Sequence, residues 1–588
     1  MAASVSGRRR ATGRRGGGLR SLTRGAARGG GVAGGRGVDG RIRLLRFVFI
    51  VFLVLVGGKA VALASSSENL TKIALEQQMR SVVLPAHRGA ILDRDARVLA
   101  VGKPAETVFA TPYLLDDPKA AAHALCKALR ITKKLERRAL EKALAEPKSG
   151  FAYVARKVDP LIAKAALSLN LPGVGSYEEE ERDYPMKGSA AQVLGFAGVD
   201  GNGLAGVEKA YDKQLAGVAG SEVVVRDSAG KKTLKTVRQR QPTAGQDVRL
   251  TLDEDIQLTA EDVLEHTVRD SGATAATAIV MDPRTGEILA MANVPKVKDN
   301  DFSRKPANNS NRCVTDVYEP GSIFKLVTIS GALADGLVRP GTTFTLPPSL
   351  TVEDRTINES HERGTVKYSV REILQWSSNV GAVTIGIKMG AERLYKWIDA
   401  FGFTKPTGVG FPDEAAGLVP PVKLWSGTTI ANVPMGQGIA VTPLQMAVAF
   451  STVANNGMAV KPRLITQVGD TRYNDVEKHR VIPASVARDV RSMLATAVAE
   501  GTGTKAQIPG YEVAGKTGTA EKPLPDGSGY SQTDYVASFI GMVPADHPRL
   551  VVLVTVDSPH TSIYGGDIAA PAVQKIMRFA LQRLEIAP

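Results

Sequence analysis

The chain has only two cysteines, Cys126 and Cys313, among its 588 residues. So low a count leaves no disulfide framework and no zinc or haem spacing, and both thiols are expected as small buried hydrophobes. There are seven histidines but no G-x-S-x-G elbow, so a Ser-His-Asp hydrolase lacks its usual signature. No phosphate-cradling glycine loop occurs, and no nucleotide, metal or other cofactor is implied. Internal repeats are absent as well. Acidic residues are nearly missing from the start: residues 1–46 hold 12 Arg, no Lys and one acid, Asp39. That segment alone carries +11 of the net +15, leaving +4 for everything after it. A body so close to neutral presents no electrostatic footprint for nucleic acid.

The basic segment gives way to a single long apolar run. Phe47–Ala64 is 18 residues with one charge, Lys59. As a helix it reaches about 27 Å, close to the thickness of a bilayer core. The arginine excess on its N-terminal side places the tail in the cytoplasm and the body outside a plasma membrane. Ala62-Leu63-Ala64 resembles a signal-peptidase site, but the long basic lead favours an uncleaved single-pass anchor. Residues 1–40 are Arg/Gly-rich and low in complexity. They are expected to be disordered, with weak attraction to anionic membrane lipid.

Chemistry is concentrated in three short runs. Ser322 and Lys325 stand three apart in YEPGSIFK (Tyr318–Lys325), Ser377-Ser378-Asn379 comes next, and Lys516-Thr517-Gly518 comes last. An S-x-x-K match alone arises by chance roughly a few times in a chain of this length, and alone it reads as a helix cap beside a solvated lysine. Here Pro320-Gly321 signals a turn, and the run after it, IFKLVTISGALADG, is apolar nearly all round. That combination predicts a buried helix over Ser322–Asp335, where a lysine needs a reason. Residues three apart on a helix share a face, so Lys325 can reach Ser322 Oγ. A serine becomes a nucleophile when a base takes its proton, and lysine is a base only when neutral. Burial and the neighbouring charge of Lys516 would both lower its pKa. Ser377 could relay a proton and Asn379 could orient Lys325. The Ser322 N–H and an N–H from the strand carrying Lys516 could hold an oxyanion. Gly518 would let a peptide approach edge-on, with Lys516, Thr517 and Thr519 gripping a carboxylate.

The ordered triplet S-x-x-K, S-x-N, K-T-G marks enzymes acylated by penicillin. With HRGAILDRDARVLA (His87–Ala100), RDYP (Arg182–Pro185), DGNGLAGVE (Asp200–Glu208), TGEILAMANVP (Thr285–Pro295), WSSNVG (Trp376–Gly381), VTPLQMA (Val441–Ala447) and AGKTGTAEK (Ala514–Lys522), the chain resembles a class B penicillin-binding protein of the division-specific, FtsI-like type. The resemblance implies a peptidoglycan D,D-transpeptidase of septal wall synthesis. Ser322 would be the acylated nucleophile and Lys325 its base. Ser377 and Asn379 would complete the proton network, and Lys516, Thr517 and Thr519 would bind the substrate carboxylate. The substrate would be stem peptides ending in D-Ala-D-Ala, the inhibitors β-lactams, and the partners other division proteins, including a membrane glycosyltransferase of the SEDS family. Cys313 and Gln437 stand where relatives usually carry a small residue and often a tyrosine.

The expected fold is multidomain α+β: a tail (1–46), a transmembrane helix (47–64), a mixed α/β pedestal (65–245) and a transpeptidase domain (246–588). Residues 65–80 read as a linker helix. The pedestal shows strands at Thr107–Ala110 and Ser221–Arg226 and helices at Lys119–Leu129, Lys134–Leu144 and Ile162–Leu169. The catalytic region shows strands at Thr274–Asp282, Glu287–Asn293, Glu512–Thr519, Val536–Val543 and Leu550–Val556. These make a five-stranded, mainly antiparallel sheet. Its flanking helices are expected at Val370–Ser377, Ala391–Ala400, Pro443–Asn455, Ala484–Ala499 and Ala569–Leu584. The alternatives are an elongation-type transpeptidase, a β-lactamase or D,D-carboxypeptidase with water as acceptor, and a non-enzymatic β-lactam sensor. The anchor and pedestal argue against a free lactamase, and a sensor would need a cytoplasmic effector that an Arg/Gly tail does not supply.

Overall fold

The computed structural model describes residues 37–65, 79–146, 148–226, 233–297, 301–303, 309–524, 526 and 529–588. Most of the basic tail, and residues 66–78 of the expected linker helix, lie outside the described residues. Met79–Leu84, where that linker was expected to end, is a strand. The chain divides into two compact units, residues 1–80 with 224–236, and residues 81–223 with 237–588. The first holds a helix over Gly37–Ser65. Its stretch Gly40–Ser65, 26 residues of mean hydropathy 2.6, is long and apolar enough to cross a membrane. Phe47, Phe49, Phe52 and Leu55 are all exposed, as a lipid-facing helix requires.

In the second unit, the pedestal is built on a 13-residue strand, Val98–Ala110, flanked by Ala152–Val158 and Val174–Asp183, both antiparallel to it. Helices Pro118–Ala128, Lys134–Leu144 and Pro160–Leu167 cover one face and bury Val108, Leu125, Leu144 and Val154. The first starts where Asp117 accepts the N–H groups of Lys119 and Ala120, with Pro118 at the position that needs no N–H. Val174–Asp183, which includes four consecutive glutamates, is a strand that local pattern does not announce. Ion pairing supports it: Glu179 meets Arg156 at 2.7 Å and accepts the Thr107 hydroxyl.

The foot of the pedestal runs into the catalytic region. Ile91–Leu92 pairs with Val98 and Ala100 on one side and, in parallel, with Val248–Arg249 on the other. Val248–Leu250 in turn pairs with Ile465–Val468. Ile91, Leu99, Leu194 and Leu215 share one core with Ile279, Met281 and Leu444.

The catalytic sheet has five antiparallel strands in the order Ile288–Val294, Ala275–Met281, Leu550–Asp557, Tyr530–Val543, Ala514–Pro523. Successive side chains point to opposite faces. Val552, Val554 and Val556 pack toward helices Glu254–Ser271 and Gly565–Arg583, while Val551 and Leu553 pack toward Lys325–Ala334, Pro443–Ala454 and Ala484–Ala499. With both faces covered, the central strands are apolar throughout, and each buried Val or Leu contributes about 1.5–3 kcal/mol. Cys126 and Cys313 are free and buried, as expected. The order of the sheet leaves Ala514–Pro523 at an edge, with one side of its backbone unpaired by any strand among the described residues.

Candidate active site

Against that edge strand lies the turn that carries Ser322. The expected helix Ser322–Asp335 is two elements, a 3₁₀ turn over Gly321–Phe324 and an α-helix over Lys325–Ala334. In a 3₁₀ turn, residues three apart eclipse, which stacks Ser322 and Lys325 on one side. Gly321 has φ +55, and a Cβ there would come within 2.8 Å of the Thr519 carbonyl. Glycine thus permits both the left-handed turn and its seating on the strand. From the other side, the Gly321 N–H donates to the Gly436 carbonyl at 3.0 Å.

Lys325 is fully buried. Its Nζ donates to the Ser377 carbonyl at 2.6 Å, to Asn379 Oδ1 at 2.7 Å and to Ser377 Oγ at 3.3 Å. It is thus bonded to the second motif, with no hydrogen bond to Ser322 among the described residues. Burial pulls its pKa down to about 7, against the opposing pull of the Glu359 carboxylate. Ser377 joins helices Val370–Gln375 and Asn379–Met389 in the left-handed region, at φ +60, a conformation unusual for serine. Ser378 caps the second helix by accepting the Gly381 N–H at 3.0 Å.

On the edge strand, Lys516 is fully buried, and its Nζ donates to the Thr517 carbonyl and Oγ1, each at 3.2 Å. Its pKa lies well below the ordinary lysine value, through burial first and the charge of Lys325 second. Burial, the first of the two causes expected from the sequence, is the main one for Lys325 as well. Thr517 Oγ1 shares a hydrogen bond with Thr502 Oγ1 at 2.9 Å, and Thr519 Oγ1 accepts the Gly565 N–H at 3.3 Å. Gly518 sits opposite Ser538, where a Cβ would meet Ser538 Oγ at 2.3 Å and the Pro320 carbonyl at 3.1 Å.

A cleft of about 680 Å³ brings Ser322, Ser377, Asn379, Thr517 and Thr519 to one wall system, with Thr502 and Tyr564 beside them. The two lysines stand behind its surface. Sequence reasoning missed Thr502 and Glu359. Thr502 had a faint signal in the Gly501-Thr502-Gly503-Thr504 run, and Glu359 had none. A cleft-facing hydroxyl, a buried lysine of lowered pKa and an edge strand open to an extended peptide suit acyl transfer from a peptide carbonyl.

Comparison with known proteins agrees. Residues 276–578 match the penicillin binding protein transpeptidase domain, and residues 83–250 match the penicillin-binding protein dimerisation domain. The chain is 34% identical over 552 residues to the peptidoglycan D,D-transpeptidase FtsI of Escherichia coli K12, covering 92% of this chain and 91% of that protein. It is 34% identical over 562 residues to the penicillin-binding protein PbpB of Mycobacterium tuberculosis, covering 88% and 81%. The crystal structure of penicillin binding protein 3 from Mycobacterium tuberculosis, complexed with aztreonam, superposes with a TM-score of 0.68 at 30% identity, covering 86% of this chain and 98% of that one. The chain belongs to the class B penicillin-binding proteins, the membrane-anchored serine D,D-transpeptidases of peptidoglycan that include FtsI and PbpB.

Proposed function

We propose that this penicillin-binding D,D-transpeptidase cross-links septal peptidoglycan, taking stem peptides that end in D-Ala-D-Ala as donors. Ser322 Oγ attacks the carbonyl of the penultimate D-alanine while neutral Lys325 takes its proton. The Ser322 N–H and a backbone N–H of the edge strand hold the oxyanion. The amide bond breaks, the terminal D-alanine leaves with a proton relayed through Ser377, and an acyl-enzyme remains. The amine of a neighbouring stem then attacks that ester, forming the cross-link and restoring the serine. Thr517 and Thr519, backed by Lys516, receive the donor carboxylate, and Gly518 admits the donor backbone. β-Lactams enter as donors whose acyl-enzyme persists. Residues 65–245 serve as the pedestal, and a SEDS-family glycosyltransferase is the partner that supplies nascent glycan.

The observation that carries this reading is the buried lysine of lowered pKa, Lys325, three residues after the cleft-facing Ser322. Mass spectrometry after exposure to benzylpenicillin is expected to find the adduct on Ser322. An adduct elsewhere, or none on folded protein, defeats the mechanism. Depletion in cells is expected to give filaments lacking cross-walls. Rounded cells that still divide would instead assign the enzyme to elongation. For the carboxylate site, Lys516→Ala is expected to slow acylation by at least about tenfold, the worth of one charge-assisted hydrogen bond, and Thr517→Ser by less. Equal rates in the two variants would remove the role given to Lys516.

A further inference from the structure

Ser349–Val352 and Arg355–Asn358 form a small hairpin whose end abuts the second motif. The next residue, Glu359, has a side chain only 7% exposed. Its carboxylate accepts Ser378 Oγ–H at 2.6 Å, the Asn379 N–H at 2.8 Å and the Val380 N–H at 3.3 Å. Arg363 pairs with it at 2.5 Å and is itself anchored on the carbonyls of Leu346, at 3.1 Å, and Gly364, at 2.9 Å. One residue earlier, the Asn358 carbonyl accepts Asn379 Nδ2–H at 2.9 Å. A carbonyl can only accept, so this contact fixes which end of the Asn379 amide is nitrogen. The oxygen is thereby left to face Lys325 Nζ, 2.7 Å away.

A carboxylate at the start of the 11-residue helix Asn379–Met389 satisfies N–H groups that the helix itself leaves open. Capping alone would explain that much. It would not explain why the same two-residue segment also holds the Asn379 side chain. We infer that Glu359 is a positioning residue of the acylation step: with Asn358 it clamps Asn379 from its backbone and its amide, and through Asn379 it sets the place of Lys325 Nζ. This rests on the reading of Ser322 and Lys325 as the acylating pair. Glu359 also bears on Lys325 by its charge, holding the amine's proton against the effect of burial. The titratable and charged groups around the pair are Lys516 on the edge strand, of lowered pKa, and Arg363 beside Glu359. The ring of His361, on the same loop, packs on Tyr564 with centroids 5.4 Å apart.

The test is the rate of acylation by a fluorescent penicillin, measured from acid to alkaline pH on the full-length protein in detergent micelles, with thermal melting alongside. Glu359→Ala is expected to lose about 10- to 100-fold, by analogy with the loss when a partner that orients a metal ligand is removed. Glu359→Gln keeps an acceptor but loses the charge. It is expected to be slower than wild type at its best pH, with the rising limb of its pH profile displaced to lower pH. Glu359→Asp should recover part of the rate. An unmoved limb in Glu359→Gln, or rate losses that merely track loss of folded protein, would reduce Glu359 to a helix cap and overturn the inference. Absence of labelling in folded wild type would defeat the acylation reading itself, an outcome separable from either.

Discussion

Replacing Lys325 with methionine is expected to lower the rate of β-lactam acylation near neutral pH by about 10²–10⁴-fold, the usual worth of a positioned general base. Methionine is unbranched and of similar reach, so it can fill the buried space that the lysine stem occupies. What it lacks is the amine bonded to Ser377 and Asn379. Wild-type acylation should rise with pH through about 7, as the proton that blocks the base comes off. In Lys325→Met that limb should vanish, because the group that titrates there is gone. Lys325→Arg should fail as well, since a guanidinium holds its proton at every accessible pH. A limb near 7 that survives in Lys325→Met would assign the titration to another group and remove Lys325 from the base role. The same displacement makes Lys325 a cost to the fold. Its folded pKa lies below the unfolded one, so the unfolded chain binds more protons between about 7 and the ordinary lysine value. Stability should therefore rise with pH through that window, and the full cost applies below it.

The sheet was legible because its strands are buried on both faces: runs such as Leu550–Val556 are apolar almost without interruption. Ala391–Ala400 and Ala484–Ala499 matched to the residue, since their apolar stripes recur at helical spacing. The failures have physical causes. Val174–Asp183 hides behind Glu178–Glu181, charges that become tolerable only when Arg156 and Thr107 arrive from neighbouring strands. Asn379–Met389 contains two glycines and several β-branched residues, poor helix formers by local preference. Tertiary packing demands them: a Cβ on Gly381 would lie 2.6 Å from Ile373, and one on Gly386 2.2 Å from Pro434. The helix depends on neighbours and on Glu359, which no local pattern announces. At the site, residues of all three motifs line one cleft, but spacing cannot reveal depth. By spacing alone, Lys516 is an ammonium facing the peptide. Its Nζ is instead buried against its own neighbour, Thr517, and burial is the first cause of its lowered pKa.

Glu208→Ala is expected to destabilise the protein by about 3–5 kcal/mol, because it strands buried charge. Three runs of sequence far apart in the chain meet at this residue. Arg88, from HRGAILDR, donates Nε–H to Glu208 Oε2 at 2.7 Å, and Arg182, from RDYP, donates Nε–H to Oε1 at 2.7 Å. The Glu208 side chain is 0% exposed, and those of Arg88 and Arg182 are 8% and 7% exposed. Arg88 has a second carboxylate, Asp212, at 2.8 Å, and reaches the Gly201 carbonyl at 2.8 Å. Arg182 has the Gly89 carbonyl at 2.9 Å but no second carboxylate among the described residues, and its Nη2 is already unsatisfied. Removing Glu208 therefore leaves Arg182 charged, dry and unpaired, the more costly half of the loss. The change should appear as a fall in melting temperature of about 3–5 °C. Protein still folded in the cold should acylate at a rate close to wild type, since none of these residues lines the cleft. A triple change, Arg88→Met with Arg182→Met and Glu208→Leu, should recover most of the melting temperature, because an apolar set of similar volume avoids the desolvation that the ions suffer. If Glu208→Ala melts within a degree or two of wild type, water or Asp212 has taken up both guanidinium groups, and the network does not hold the foot of the pedestal together.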